Sequence, residues 1–410
     1  MKVLYFHQHF TTPAGSAGTR SYAMARALVA DGHSVTMVCG RYAGGVTGLT
    51  MPFQGGRRRG CTDGINVIEF DLAYSNSDGF AKRALLFLKF AMSSVRLALT
   101  ESYDVLFATT TPLTTGIPGI CARWLRGKPF VFEVRDLWPE LPRQMGVIRN
   151  PVVLAMMGGL EWCSYRSAHR LVGLSPGIVE GIARLGVPAE RIAMIPNGCD
   201  LNIFSGNATP WRPAGVAPSD LMAIFTGTHG RANGLDAVLD VACELKRRAR
   251  SDIKLVLIGS GGCKARLQAR AEREGLDNVI FHAPVGKERL AGLMEAADVG
   301  MQLLANVPAF YYGTSPNKFF DYIAAGLPVL NNYPGWLAEL IVERACGYAI
   351  PPENPVAFAD ALEAAADDRV QLREMGTRGR ALAEREFSRS ELAAKFIGWI
   401  ETAFHSASKN

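Results

Sequence analysis

The chain has 410 residues, 48% hydrophobic and 20% charged, and a net charge of +6. That length exceeds what one ordinary core fills, so two domains are expected, and the composition excludes a disordered or fibrous chain. No run of 18 apolar residues without a charge occurs, and Met1-Lys-Val-Leu-Tyr-Phe6 reads as a strand, not a leader with a cleavage site, so a cytoplasmic location is expected.

The eight cysteines (39, 61, 121, 163, 199, 243, 263 and 346) show no Cys-x-x-Cys spacing and are expected as reduced packing residues. Residues 1–205 carry 21 Lys and Arg against 14 Asp and Glu, whereas 206–410 carry 23 against 24. The basic excess of the first half suits an anionic lipid, a phosphorylated substrate or a plain solvated face. No aromatic RNA-binding signature accompanies it, so nucleic acid is not expected as a partner.

In chain order, β-branched runs at 3–6 and 34–38 flank an amphipathic stretch at 20–31, the strand-helix-strand pattern of a parallel sheet. Further strands are expected at 105–108, 130–134, 170–174 and 192–195. The breaker-rich segment 205–218, with three prolines, marks a domain junction. The alternation then restarts, with strands at 222–226, 254–258, 279–282 and 299–304 and helices at 235–249, 263–274 and 291–297. The expected fold is α/β: two doubly wound Rossmann-like domains facing each other across a cleft, with ligand beyond the carboxyl ends of the strands. The boundaries are 1–204, a linker at 205–220, and 221–387. A closing helix follows at 388–410, where Leu392, Phe396, Ile397, Trp399 and Ile400 recur at helical spacing. Periodicity leaves open which domain receives it, the N-terminal one being a candidate.

The loop Pro13-Ala-Gly15-Ser-Ala-Gly18-Thr-Arg20 leads into a helix, where glycine amides can meet an anion or simply make a tight turn. It is not G-x-G-x-x-G, and Cys39-Gly40-Arg41 supplies no acid for a ribose, which argues against a dinucleotide oxidoreductase. Glu133, Arg135 and Asp136 close an apolar strand, as a buried ion-pair network or as cleft chemistry. In the second half, Gly259-Ser-Gly-Gly262 ends a strand, and Thr226-Gly227-Thr228-His229-Gly230-Arg231-Ala-Asn233-Gly234 can offer backbone and guanidinium donors to a diphosphate. Thr314-Ser315-Pro316-Asn317-Lys318 opens a helix at 319–325, with Asp321 one turn inside, and is the stronger anion site. Close packing of that helix would explain Gly326 and Pro328 but gives Lys318 and Asp321 no role. No metal is expected: the seven histidines lack ligand spacing, no Asp-x-Asp occurs, and His7 and His9 read as polar loop residues. Arg231, Lys318 and helix N-termini would instead stabilise a leaving diphosphate.

Several pieces occur together in one order: Ala30-Asp-Gly-His33-Ser-Val-Thr36, Ile195-Pro-Asn197-Gly198-Cys-Asp200 and Leu255-Val-Leu-Ile-Gly-Ser-Gly261. Asn278-Val-Ile-Phe281, Ala297-Asp298-Val299 and Asp321-Tyr-Ile-Ala-Ala-Gly326-Leu-Pro328-Val329 follow. Over nearly its whole length the chain thereby resembles the retaining family-4 glycosyltransferases with the GT-B fold. Glu133-Val-Arg-Asp-Leu-Trp-Pro139, Tyr74-Ser-Asn76, Gly227-Thr-His-Gly230 and Ser315-Pro-Asn-Lys318 are similar to a subgroup that includes the bacterial N-acetyl-L-fucosamine transferases of O-antigen synthesis.

The resemblance implies a retaining glycosyltransferase of surface polysaccharide synthesis, metal-independent in keeping with the missing ligand spacing. It would move a sugar, such as an N-acetylated amino or deoxyamino sugar, from a UDP donor to a lipid-linked glycan, with GDP left open and no cofactor beyond the nucleotide sugar. The departing phosphate would help remove the acceptor proton, so no separate strong base is required. Asp136, Arg135, Arg231 and Lys318 become the catalytic candidates. Donor-binding candidates are Gly15, Gly18, Arg20, Gly227, Thr228, His229, Asn233, Gly259, Val285, Thr314, Ser315, Pro316, Asn317 and Asp321, the last on the ribose. The chain departs from the family at five positions. The first of its two donor-gripping glutamates is Gly313 and the second Asp321; its diphosphate-binding Arg and Lys are Thr228 and Asn233, for which Arg231 and Lys318 substitute; and the His before Asp136 is Arg135. A nucleotide-sugar epimerase of the same fold and a non-catalytic nucleotide-sugar binder are the alternatives.

Residues 80–99 form an expected helix in which Lys82, Lys89 and Arg96 recur every seven positions beside Leu85, Leu86, Phe90, Met92 and Val95. Such a helix lies on an anionic membrane, with Arg57-Arg-Arg59 near it in sequence, or packs its apolar side into the domain.

Overall fold

The first sheet contains β1 (Lys2–Phe6), β2 (Ser34–Tyr42), β3 (Arg57–Thr62), β4 (Ile65–Tyr74), β5 (Val105–Thr109), β6 (Phe130–Val134), β7 (Arg170–Gly173) and β8 (Ile192–Met194). Their order is β3-β4-β2-β1-β5-β6-β7-β8, parallel except for the β3–β4 hairpin. This computed structural model describes residues 1–15, 18–75 and 78–407; Ser16, Ala17 and Asn76 of the motifs above lie outside the described residues. Inner strands such as Val105–Thr109 and Phe130–Val134 are buried at every position, as expected where helices cover both faces of a parallel sheet.

The second sheet contains β9 (Leu221–Thr226), β10 (Ile253–Ile258), β11 (Val279–His282), β12 (Val299–Gln302), β13 (Val329–Asn331) and β14 (Gly347–Ala349). All its pairings are parallel, in the order β11-β10-β9-β12-β13-β14. The chain runs outward from β9 to β11 and returns to lay β12 on the other side of β9, so β9 and β12 flank the switch point where such sheets bind ligands.

Two compact units result: Met1–Pro196 with Tyr312–Ser315 and Ser390–Asn410, and Asn197–Tyr311 with Pro316–Arg389. The segment 205–220, expected as a linker, groups with the second unit, where the Trp211 indole N–H donates to Arg289 O at 2.6 Å and Arg212 bonds Asp298 at 3.2 Å. The last helix, Arg389–Ala407, buries Leu392, Phe396, Ile400 and Ala403 in the core of the first unit, with the Phe396 ring 5.0 Å from that of Phe107.

Two expectations need correction, and a third was left open. Cys39, Cys199 and Cys346 are buried, but Cys61 and Cys163 are exposed, so packing does not account for those two. Arg57-Arg-Arg59 is an edge strand, not a free basic cluster: Arg58 bonds Glu69 at 2.8 Å and Arg59 bonds Glu101 at 2.6 Å. The helix Phe80–Thr100 turns Phe90, Ala91, Leu97 and Ala98 inward, while Leu85 and Met92 are exposed beside Lys89 and Arg96. Among the described residues no helix is long and apolar enough to cross a membrane.

Candidate functional site

The loop after β9 and the loop after β10 interlock through glycine. A Cβ on Gly259 would stand 1.8 Å from Gly227 O, and one on Gly261 would stand 2.6 Å from His229 O. With φ near +143° at Gly227, +150° at Gly259 and +156° at Gly261, side chains are excluded on conformational grounds as well. His229 N donates to Ser260 O at 2.8 Å, and Cys263 N to His229 O at 2.9 Å. The imidazole of His229 is itself buried, with its ring 6.2 Å from Phe225 and 6.3 Å from Phe281. Burial, reinforced by Lys264, lowers it to about 4, so it stays neutral at physiological pH. His229 was expected to bind the donor; its side chain instead packs under the loop.

The helix Asn317–Ala324 is pinned to this loop by Tyr322, whose hydroxyl accepts from Thr226 N at 3.0 Å. Its ring lies against Gly300, where a Cβ would come within 2.4 Å. One helical turn earlier on the same side stands Lys318. Its Nζ donates to Asn233 Oδ1 at 3.0 Å and lies 4.7 Å from the centre of the Phe225 ring, while Asn233 Nδ2 donates to Thr228 O at 2.7 Å. Burial lowers the Lys318 ammonium to about 8, and among the described residues no carboxylate bonds it. Gly227, Thr228 and Arg231 are exposed on the same loop. A half-buried cation, the exposed loop residues Gly227, Thr228 and Arg231 and a helix start thus converge where an anion would be bound.

Asp321 lies beside Asp200, Lys287 and Arg389. Burial pushes its carboxyl up to about 6, with Lys287 and Arg389 opposing and Asp200 adding to the shift. Both cations are bonded to Asp200, Lys287 at 3.1 Å and Arg389 through Nε and Nη2. Val285 is partly buried in the loop between β11 and the helix Lys287–Ala296. Thr314 and Ser315 group with the first unit; Pro316 and Asn317, at the helix start, group with the second.

In the first unit the carboxyl end of β6 carries a dense polar network. Arg20 Nε and Nη2 donate to Glu133 Oε2 at 3.0 and 2.8 Å, and Nη1 and Nη2 reach the carbonyls of Pro196 and Ile195. Every nitrogen of this guanidinium, 1% exposed, is therefore committed. That overturns the assignment of Arg20 to the donor. Gly15 is likewise explained by packing, since a Cβ there would meet Thr11 Oγ1 at 2.1 Å; Gly18 is exposed. Arg135 donates through Nε to Thr109 Oγ1 at 2.8 Å and Glu133 Oε1 at 3.1 Å, and through Nη2 to Ser21 Oγ at 2.9 Å, so it mainly braces the network. Burial works against ionised Glu133, but Arg20 and Arg135 outweigh it and hold the group at about 2. Asp136 accepts from Thr111 Oγ1 at 3.2 Å, and burial raises its pKa.

Among the described residues one group has metal-binding spacing: Asp31, His33 and Glu401, with His33 Nε2 3.3 Å from each carboxylate. It stands before β2, at the amino ends of the strands. Phe225, Tyr322, Thr111 and the Asp200–Lys287–Arg389 cluster were not anticipated. Tyr322, four residues after Lys318, carried a readable signal; the cluster, drawn from positions 87 to 189 apart, carried none.

Residues 15–198 match a family model described as "Glycosyl transferase 4-like domain", and residues 211–382 match "Glycosyl transferases group 1". A D-inositol 3-phosphate glycosyltransferase of Paenarthrobacter aurescens is 30% identical over 248 residues, 58% of this chain and 55% of that protein. The chain spans about half the length of the curated relatives it matches. Sucrose-phosphate synthase from Thermosynechococcus elongatus has the same fold with a TM-score of 0.75 at 17% identity, over 99% of both chains. Anabaena HepE, solved in complex with UDP and glucose, follows with a TM-score of 0.68 at 16% identity, over 98% of this chain and 100% of that one. With a glycosyltransferase model matched to each of its two Rossmann-like units, the chain belongs to the family-4-type glycosyltransferases of GT-B fold.

Proposed function

We propose that the protein transfers a sugar from a nucleoside diphosphate donor, held in the second unit, to an acceptor hydroxyl. The observation that carries this reading is Lys318, a half-buried side chain whose ammonium has no carboxylate partner among the described residues, set against the Gly227 loop and at a helix start. A diphosphate supplies the missing charge, and Arg231 is available on the same loop. Asp321 would take the ribose hydroxyls. The bond from the anomeric carbon to the β-phosphate oxygen breaks with its electron pair going to phosphate. The acceptor oxygen bonds the same carbon, and its proton passes to the departing phosphate, so configuration is retained without a separate strong base. Cationic side chains and amides neutralise the leaving group, so the transfer is metal-independent, and Asp136 orients the reacting partners.

The Ser315-Pro-Asn-Lys318 and Gly227-Thr-His-Gly230 motifs favour a UDP-linked N-acetylated amino or deoxyamino sugar, as in the N-acetyl-L-fucosamine transferases. UDP bound in HepE, of the same fold, is consistent with this. The acceptor would be a lipid-linked glycan of a bacterial surface polysaccharide, met on the cytoplasmic side. A panel of UDP- and GDP-sugars, read by thermal stabilisation and by acceptor-dependent nucleoside diphosphate release, tests the reading. UDP-sugars should stabilise the chain and turn over. Sugar isomerisation without release would make it an epimerase, binding without turnover a binder, and no stabilisation by any nucleotide would end the proposal.

A further inference from the structure

The helices Phe80–Thr100, Gly116–Arg126 and Pro151–Ser167 lie on the connections from β4 to β5, β5 to β6 and β6 to β7. All three connections step the same way along the sheet, so right-handed crossovers lay these helices side by side on one face. Their seams are closed. Arg126 Nη1 donates to Ala98 O at 3.0 Å and Glu101 O at 2.8 Å, and Trp124 Nε1 to Ser167 Oγ at 2.9 Å. A Cβ on Gly116 would stand 2.3 Å from Ser164 Oγ.

The outer side of this layer is not the polar surface a solvated helix layer presents. On the first helix Leu85, Leu88 and Met92 are exposed, on the second Trp124 and Leu125, and on the third Val152, Met156 and Trp162, each between 49% and 70%. Single exposed apolar residues are ordinary, but eight on one layer mark a surface that meets something. Charge identifies what. The three helices contain one carboxylate, Glu161, which is buried and accepts from the Tyr165 hydroxyl at 2.9 Å. Against it stand exposed Lys89 and Arg96, Lys82 paired with Asp78, and the guanidinium groups of Arg123 and Arg166, 5.8 and 5.4 Å from the ring centres of Trp124 and Trp162. A second copy would bring like charge against like. An anionic bilayer accepts both features, with cations at the phosphates and apolar tips and indoles below them.

We propose that this three-helix face docks the first unit on an anionic bilayer. The inference goes beyond the transferase reading and does not depend on it. The test is co-sedimentation of the full chain with vesicles of phosphatidylcholine alone or mixed with phosphatidylglycerol in roughly equal parts. Wild type should pellet with the mixed vesicles, with a blue shift of tryptophan emission, and remain free of neutral ones. The double variant Lys89→Glu/Arg96→Glu should bind at least about tenfold more weakly, and Leu88→Ser/Met156→Ser should lose the blue shift at unchanged charge. Unchanged melting temperatures would show that both variants fold. Absence of wild-type binding, or equal binding by both variants, overturns the proposal. So does a dimer in sedimentation equilibrium that Leu88→Ser/Met156→Ser dissociates, because the face then belongs to a second copy.

Discussion

Replacing Lys318 by Met separates what a half-buried cation costs from what it is for. Burial lowers its pKa from 10.5 to about 8, so the folded chain holds this proton less readily than the unfolded one. At about 1.4 kcal/mol per unit the penalty below pH 8 reaches up to about 3 kcal/mol. Met fills similar space and gives up the bond to Asn233 Oδ1, worth about 1 kcal/mol. Without ligand the variant should therefore equal or exceed wild type, by up to about 2 kcal/mol near neutral pH. Its UDP affinity should fall roughly 10- to 100-fold, since a charge-assisted bond contributes about 1.5–3 kcal/mol. Linkage adds a second signature. Wild-type stability should rise between about pH 8 and 10.5, where the unfolded lysine keeps a proton the folded one releases, and Lys318→Met should lack that rise. A bound diphosphate restores the proton, so near pH 8 binding should take up as much as about half a proton in wild type and none through this position in the variant. Urea melts across this range and calorimetry in buffers of different ionisation enthalpy read both effects. A variant that is less stable by more than about 1 kcal/mol, yet binds UDP like wild type, would refute the argument.

Asp321→Asn should stabilise the unliganded chain above pH 6. The folded carboxyl holds its proton to about 6 against the ordinary 3.8, so wild-type stability falls as pH rises through that window; thermal melts should show the fall vanish in the variant, and UDP-sugar titrations should show weaker binding. Asp136→Asn keeps an acceptor for Thr111 but removes the charge: kcat should drop at least about 100-fold while donor affinity shifts less than about threefold, and a loss confined to donor affinity would contradict its placing at the reacting sugar. Glu133→Gln strands two guanidinium groups and should cost about 3–5 kcal/mol in urea unfolding. In wild type the same carboxylate, held near 2, should contribute in full above about pH 4.5 and lose its effect only as pH falls towards 2.

Most inner strands were legible because burial on both faces leaves continuous apolar runs, and their observed bounds differ from the expected ones by a few residues at most, but the ten-residue inner strand Ile65–Tyr74 was missed together with its hairpin partner. Arg57–Thr62 was missed because an edge strand alternates charged and half-buried residues; the available signal was Asp63-Gly64, both at positive φ, as a tight hairpin turn requires. The strands Val329–Asn331 and Gly347–Ala349 span three residues each, too few for periodicity to register. The segment 205–218 was rightly denied a helix or an inner strand, but its prolines could not show that Trp211 and Arg212 anchor it to partners 78 and 86 positions away.

The same limit governs the site. Spacing marked the helix start at Lys318 as the stronger anion site, but it gave no measure of how far the charge of Arg20, Arg135, Arg231 or Lys318 is already spent. What distinguishes them is the counter-charge, and that is set by pairings distant in sequence. Arg20 meets Glu133 across 113 positions and Arg135 shares the same carboxylate, so their charge is spent within the first unit. Among the described residues Lys318 meets an amide oxygen and an aromatic face but no carboxylate, and burial has already lowered its pKa. A buried cation without an anion is costly unless an anion arrives. On the proposed reading Lys318, not the arginines nearer the amino terminus, would mark the diphosphate site. Restoring a carboxylate beside it, as in Asn233→Asp, should therefore stabilise the empty chain and expel UDP, whereas tighter UDP binding in that variant would place the diphosphate elsewhere.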